Sequence, residues 1–214
     1  MRITRPLAHI TILALVLTVH GRWAPPVFAQ DVVEIEEHWT LQVGGPDDTR
    51  CAPQVTMVMS ANGAVEGEYF LVTLNHCTDP DFSPGGIQVQ RCLGDSCVRT
   101  AQSISEQLLH HDGETVHWVQ RLSLQDCSLT FEVTDGSSQS WGSFGGDGSL
   151  RLESPTNLEN LNNYLPGVSI TESGIGFAGN RVSSLTLQRI RWVTADGEEH
   201  EMVAPIDIDS DLDP

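Results

Sequence analysis

Carboxylates are the most plentiful reactive groups in this chain, and two pairs have a spacing that chemistry could use. Glu34 and Glu36 lie in one extended run, and Glu66 and Glu68 open another. On a strand, residues i and i+2 share a face with Cα atoms about 7 Å apart. That separation suits the acid and base of an inverting glycoside hydrolase. Acidic strands generate such pairs without any catalytic role, so hydrolysis is carried only as a less favoured alternative. Other catalytic chemistry is poorly served. All 11 basic residues are Arg, which excludes a lysine Schiff base or P-loop. No Gly-x-Ser-x-Gly elbow occurs.

Metal ligands come next. His110, His111 and His117 are close in sequence, but neighbours on a strand point to opposite faces, and no His-x-x-x-His or Cys-x-x-Cys spacing appears. Hard oxygen ligands are plentiful, so calcium is the cofactor to consider. Asp79 and Asp81 in Asp79-Pro-Asp81 are its candidate ligands. Asp207, Asp209, Asp211 and Asp213 lack the glycine and terminal glutamate of an EF-hand loop, and read better as a solvated tail.

Aromatic residues offer a third possibility. Trp141 and Phe144 sit in Ser-Gln-Ser-Trp-Gly-Ser-Phe-Gly-Gly. A Trp exposed among small residues could stack on a sugar ring, making these two the candidate ligand-binding residues. The preferred reading is that Trp141 plugs one end of the fold and the glycines make room for it. Trp39, Trp118 and Trp192 share the phase of apolar neighbours and are expected in the core.

These groups must be positioned by strands. Val55, Met57 and Met59 alternate with less apolar residues. So do Val116, Trp118, Leu122 and Leu124, and then Leu129, Phe131 and Val133. Period two with one apolar face marks a half-buried strand. Residues 69–74 are apolar on both faces and should be central. Residues 115–134 read as a β-hairpin. Leu185 and Leu187 are out of phase with Ile190 and Trp192, which calls for a bulge at Gln188-Arg189. Helix evidence is confined to a turn or two in 157–164, and 103–110 is ambiguous. The total is roughly ten to twelve short strands separated by Gly, Pro and Asp turns, the pattern of an all-β, antiparallel two-sheet sandwich.

Five cysteines suggest disulfides. In Cys92-Leu-Gly-Asp-Ser-Cys97, a Gly-Asp type II′ turn puts the two cysteines in a non-hydrogen-bonded pair with Cα atoms about 4.5 Å apart. That predicts a Cys92–Cys97 disulfide. At most two of Cys51, Cys77 and Cys127 can pair, and the remaining thiol should be buried.

Residues 1–29 say where such a domain would work. Two early arginines precede an apolar run from Leu7 to Val19, and Val27-Phe28-Ala29 fits a signal peptidase site. No segment reaches the roughly 20 apolar residues of a membrane span. The chain is expected to be exported, periplasmic or extracellular, and disulfide-bonded. Its organisation would be a signal peptide over 1–29, one domain over 30–205 and an acidic tail over 206–214. Removing the leader's three arginines leaves 8 basic against 29 acidic residues, a formal charge of −21. Such a surface repels nucleic acid and anionic lipid.

Two stretches carry a resemblance. Trp118-Val-Gln-Arg-Leu-Ser-Leu and Leu129-Thr-Phe-Glu-Val resemble a hairpin of laminin-G-like and concanavalin-like sandwiches. Ser140-Trp-Gly-Ser-Phe-Gly-Gly146, with 173–185, is similar to a group of exported bacterial proteins of uncharacterised activity. The resemblance implies a concanavalin or laminin-G-like jelly roll. It implies no activity, and the Glu-x-Asp-x-x-Glu run of concanavalin-like glycosidases is absent. The expected function is a non-enzymatic binding or adhesion module for an extracellular glycan or envelope partner. The alternatives are a structural or surface-assembly protein and a secreted glycan hydrolase.

Overall fold

A computed structural model of the chain describes residues 28, 30–44, 53–74, 86–103, 109, 111, 113–177 and 181–208. Alternation of apolar and polar residues produces twelve strands among them. These are β1 Val32–Val43, β2 Gln54–Met59, β3 Glu68–Leu74, β4 Ile87–Leu93, β5 Ser96–Ser103, β6 Glu114–Gln125, β7 Ser128–Ser138, β8 Gly142–Phe144, β9 Arg151–Pro155, β10 Gly174–Phe177, β11 Val182–Thr194 and β12 Glu199–Asp207. One helix, α1 Pro166–Glu172, precedes β10.

The strands form two antiparallel sheets. The larger runs β12-β11-β1-β6-β7-β8, with β9 also on β7; the smaller runs β10-β2-β3-β4-β5. The expected all-β two-sheet architecture is what the chain adopts, and β3, apolar on both faces, is central in its sheet. One core fills the space between the sheets. Trp39 on β1 stacks on Trp118 on β6, and Phe70 on β3 stacks on Phe131 on β7 with ring centroids 4.9 Å apart. Burying a side chain of this size contributes roughly 1.5–3 kcal/mol, so the Phe70–Phe131 contact is a principal seam between the sheets.

Turn chemistry closes the hairpins. Leu93 faces Ser96 across Gly94-Asp95, where Gly94 has φ +53°, the left-handed first position of a type II′ turn. The next pair is the expected Cys92–Cys97 disulfide. Its Cα atoms are 3.9 Å apart, closer than an ordinary non-hydrogen-bonded pair. The register slips there, because Arg91 faces Arg99 and leaves Val98 bulged. The β6–β7 turn has Asp126 and Cys127 both at positive φ, the type I′ signature. Cys127 is therefore free and exposed, contrary to the buried thiol expected, because a turn apex leaves its side chain nothing to pack on. Cys51 and Cys77 lie outside the described residues.

Three other expectations are met or corrected. Gln188 is the extra residue of a bulge in β11: His38 faces Arg189 while Trp39 faces Leu187. Residues 157–164 are not helical. The helix starts instead at Pro166, whose ring fixes φ at a first helical position where no N–H bond is required. Strand β12 extends to Asp207, and Ile208 N donates to Leu185 O, so the paired chain outruns the tail boundary expected at 206.

Candidate functional site

Strand β1 lies in the middle of the larger sheet and turns a different chemistry to each side. Its odd residues Ile35, Glu37, Trp39 and Leu41 are buried toward the core, while Glu34, Glu36 and His38 are partly exposed on the outer face. Cross-strand register builds that outer face into rows. One row reads Glu201, Arg191, Glu36, Arg121, Glu132 and Arg151 across β12, β11, β1, β6, β7 and β9, alternating in sign throughout. Arg191 meets Glu36 at 3.0 Å, and Arg121 meets Glu132 at 2.7 Å. Three of the eight arginines beyond residue 29 thus stand in one row on this face, which is much less acidic than the net charge suggests.

Next to this row the sheet is interrupted on both sides. Gln188 bulges β11, and on β7 the register slips between the partners of His117 and Val119. Bulges turn side chains out of the regular pleat. Between them lies a groove of about 280 Å³ lined by His38, Thr40, His117, Asp135, Gln188 and Arg189, with Trp39, Trp118 and Val119 completing it. Thr40 Oγ1 is 3.0 Å from His117 Nδ1. Arg189 Nη2 is 3.4 Å from His38 Nδ1. An arginine can only donate, so His38 Nδ1 accepts and the ring proton sits on Nε2, which faces Glu36 Oε2 at 3.5 Å. The His38 contact, together with Arg191, holds the Glu36 carboxyl below the usual range despite its partial burial.

This groove mixes donors and acceptors: a guanidinium, imidazoles, a hydroxyl, an amide and a carboxylate. It can exchange hydrogen bonds with a polyhydroxylated ligand in both directions. The Thr40–His117 distance also matches that of a hydroxyl and its general base. Nucleophile activation further needs a group to orient the imidazole and a site that excludes water, and this groove lies open on a sheet face.

The opposite face of β1 holds a polar cluster that sequence reasoning missed. Glu37 is fully buried. It accepts hydrogen bonds from Trp39 Nε1 at 2.9 Å, Tyr164 Oη at 2.6 Å, Ser169 Oγ at 2.5 Å and Gln120 Nε2 at 3.3 Å. Burial pushes its carboxyl up, and the donated bonds only partly offset this. Burial beside that carboxylate pushes the Tyr164 phenol well up too. The signal was available in part: Glu37 and Gln120 each occupy the apolar phase of their strand. Tyr164 and Ser169 lie about 130 residues away, and nothing local announces them.

The candidate ligand residues are placed differently from a stacking platform. Trp141 and Phe144 are 8 % and 6 % exposed and pack edge to face at 5.8 Å. The glycines do make room. A Cβ on Gly136 would lie 2.1 Å from the Phe144 ring, so the bare backbone admits it. Glu114 pins the same loop by accepting from Ser140 N at 2.7 Å and Ser140 Oγ at 2.6 Å. Neither ring offers a free face.

Asp79 and Asp81 lie outside the described residues. Among the described residues no group of three His, Cys, Asp or Glu side chains converges as a metal site. Of the Glu66 and Glu68 pair, Glu66 is exposed in the bend before β3, and Glu68 engages Arg91 and accepts from Ser154 Oγ at 2.5 Å, tying the two sheets together. Trp192, expected in the core, is only partly buried, because its β11 segment pairs with the edge strand β12.

Compared with known proteins, the chain matches no family model and no curated sequence. Among the described residues no helix is long and apolar enough to cross a membrane.

Proposed function

We propose that this chain is an exported, non-enzymatic binding or adhesion module whose ligand is a neutral, hydroxyl-rich extracellular glycan or an envelope partner that displays one. The observation that carries this reading is the groove between the two bulges. There Arg189, His117, Thr40, Gln188 and Asp135 offer both donors and acceptors on an accessible sheet face. Sugar hydroxyls both donate and accept, which matches such a mixture better than a single-sign site would. Export agrees with the leader-like residues 1–29 and with the disulfide, which persists in oxidising compartments. A concanavalin or laminin-G likeness fits the two-sheet fold and belongs to the same reading. Calcium at Asp79 and Asp81 is retained as an option to be tested with it.

The assembly alternative draws on one observation. Val98 and Leu93, 57 % and 46 % exposed, sit together at the tip of the disulfide-bonded hairpin. A glycan array run with and without calcium, on the wild type and on Arg189→Ala, separates the readings. Binding by the wild type that falls at least about tenfold in Arg189→Ala supports the groove, since a charged hydrogen bond is worth roughly 1.5–3 kcal/mol. A blank array from folded protein in both conditions rejects it.

A further inference from the structure

Trp192 and His200 face each other across β11 and β12 and stack, with ring centroids 5.4 Å apart and planes 15° from parallel. Stacked rings at a sheet edge present a flat apolar surface, and here that surface already has an occupant. Phe28 sets its ring edge-on against Trp192 at 5.6 Å and 73°. Phe28 is one residue before the cut expected after Ala29.

The chain on the other side of that cut is anchored independently. Gln30 hydrogen-bonds to the Asp196 carboxylate, and Ala195 N donates to Asp31 O at 2.8 Å. Asn160 Nδ2 donates to Asp31 Oδ1 at 2.9 Å, and Val32 N donates to Asn162 Oδ1 at 2.9 Å. Cleavage therefore removes the ring that fills the seat and leaves its walls held. Around the seat the β11–β12 turn carries Asp196 and Glu198, and Glu198 lies 3.8 Å from His200 Nε2, while the neighbouring Glu199 pairs with Arg191 at 2.8 Å. The segment that supplies the present occupant is basic, with Arg2, Arg5 and Arg22 and no acid before residue 30. Shape and charge thus describe one kind of guest.

We propose that leader removal after Ala29 opens a docking seat at Trp192 and His200 for an aromatic side chain carried on an extended, basic segment of a partner protein. The inference rests on the export reading, and the two fail separately. The acidic turn attracts the basic flanks and repels anionic ligands. The aromatic anchor gains by edge-to-face contact and by burial of its ring. The seat is independent of the groove, which opens on the outer face of the sheet, whereas Trp192 shares its register position with the inward-facing Ile35.

The test starts with the full chain expressed with its leader and recovered from the exported fraction. Intact mass reports whether it begins at Gln30. A start at or before Phe28 overturns the proposal, because the leader is then not cut after Ala29 and the seat stays filled; failure to find the protein in the exported fraction overturns the export premise instead. With a Gln30 start, a peptide of residues 22–29 carrying Trp23→Ala and an amidated end is titrated while the protein's tryptophan indole NMR signals are followed. The expected result is saturable movement of the Trp192 indole, weakened about tenfold by Phe28→Ala in the peptide. Binding should also weaken as salt is raised, and weaken in the exposed-site variant His200→Ala. No movement in a folded protein starting at Gln30 overturns the proposal while leaving export intact. Movement caused by neutral oligosaccharides and not by the peptide also overturns it.

Discussion

Glu36 and Glu37 are neighbours on one strand, and their carboxyls titrate in opposite directions. Glu36 looks outward, is touched by His38 and Arg191, and is held below the usual carboxylate range. Glu37 looks inward, meets only neutral donors, and is pushed up by burial. The pleat alone separates them. What differs is the surroundings: charge partners in reach of solvent on one side, dry hydroxyl, amide and indole donors on the other. The outer surroundings leave room for a ligand. The inner ones have spent every contact on holding β1, Tyr164 and the helix segment together, so Glu37 is a structural carboxylate despite its perturbed titration.

The largest effect expected from breaking this contrast is at Glu37. Replacing it by Leu strands the Trp39, Tyr164, Ser169 and Gln120 donors in a dry core. Each stranded buried donor costs about 1–3 kcal/mol, and partial relaxation makes roughly 3–5 kcal/mol the expected total. Urea unfolding with an unchanged slope reads it directly. A loss below about 1 kcal/mol would mean that the donors find other partners, and the inner cluster would then not be a structural pin.

A gentler change, Glu37→Gln, sharpens the comparison through pH. The folded Glu37 carboxyl keeps its proton to higher pH than the unfolded one. Its contribution is therefore fully present below the unfolded value and is lost as pH rises through the folded value. Glu36 runs the other way: its contribution is present above the unfolded value and lost as pH falls through the folded one. Glu114 behaves like Glu36. Burial pushes it up, but hydrogen bonds from Ser140 and His111 outweigh this and hold it low. Subtracting the Glu37→Gln stability curve from the wild-type curve cancels Glu36 and Glu114 and leaves Glu37. At acidic pH the variant should be less stable by roughly 1–2 kcal/mol, since an amide N–H₂ must face donors. The gap should close as pH rises through the raised folded value of Glu37. A flat difference curve would contradict the raised titration of Glu37.

Much of the framework was legible because its signals are local. Alternation marked β2, β3, β6 and β7. Gly94-Asp95 set the turn that brings Cys92 to Cys97, and the phase slip around Gln188 marked a bulge. The helix was misread because Pro166-Gly167 serves a turn as well as a helix start, and only the packing of Ser169 against Glu37 decides between them. The groove was beyond sequence reasoning for a related reason. His38, His117 and Arg189 come together through a sheet order that puts β1 between β11 and β6, and no short spacing encodes a pairing about 150 residues apart. Trp141 shows the limit of composition: a Trp among Gly and Ser can be exposed or inserted, and the clash that a Cβ at Gly136 would make with Phe144 shows insertion.

The smallest expected effect lies in the outer row of charges. Arg121 is one-third exposed and meets Glu132, which is nearly buried, at 2.7 Å. Exposed pairs are typically worth 0.2–1 kcal/mol, and this one belongs near the upper end because Glu132 is shielded. A double-mutant cycle of Arg121→Ala and Glu132→Ala should therefore return a coupling of about 1 kcal/mol or less, shrinking as salt is raised. A coupling approaching the roughly 3–5 kcal/mol expected for Glu37→Leu would show that the outer row, like the inner cluster, is a structural pin. The outer face would then have little freedom to reorganise around a ligand. A coupling near zero would leave the row as a solvated face on which the groove residues are free to exchange partners, and this is the behaviour a binding surface beside Arg189 and His117 requires.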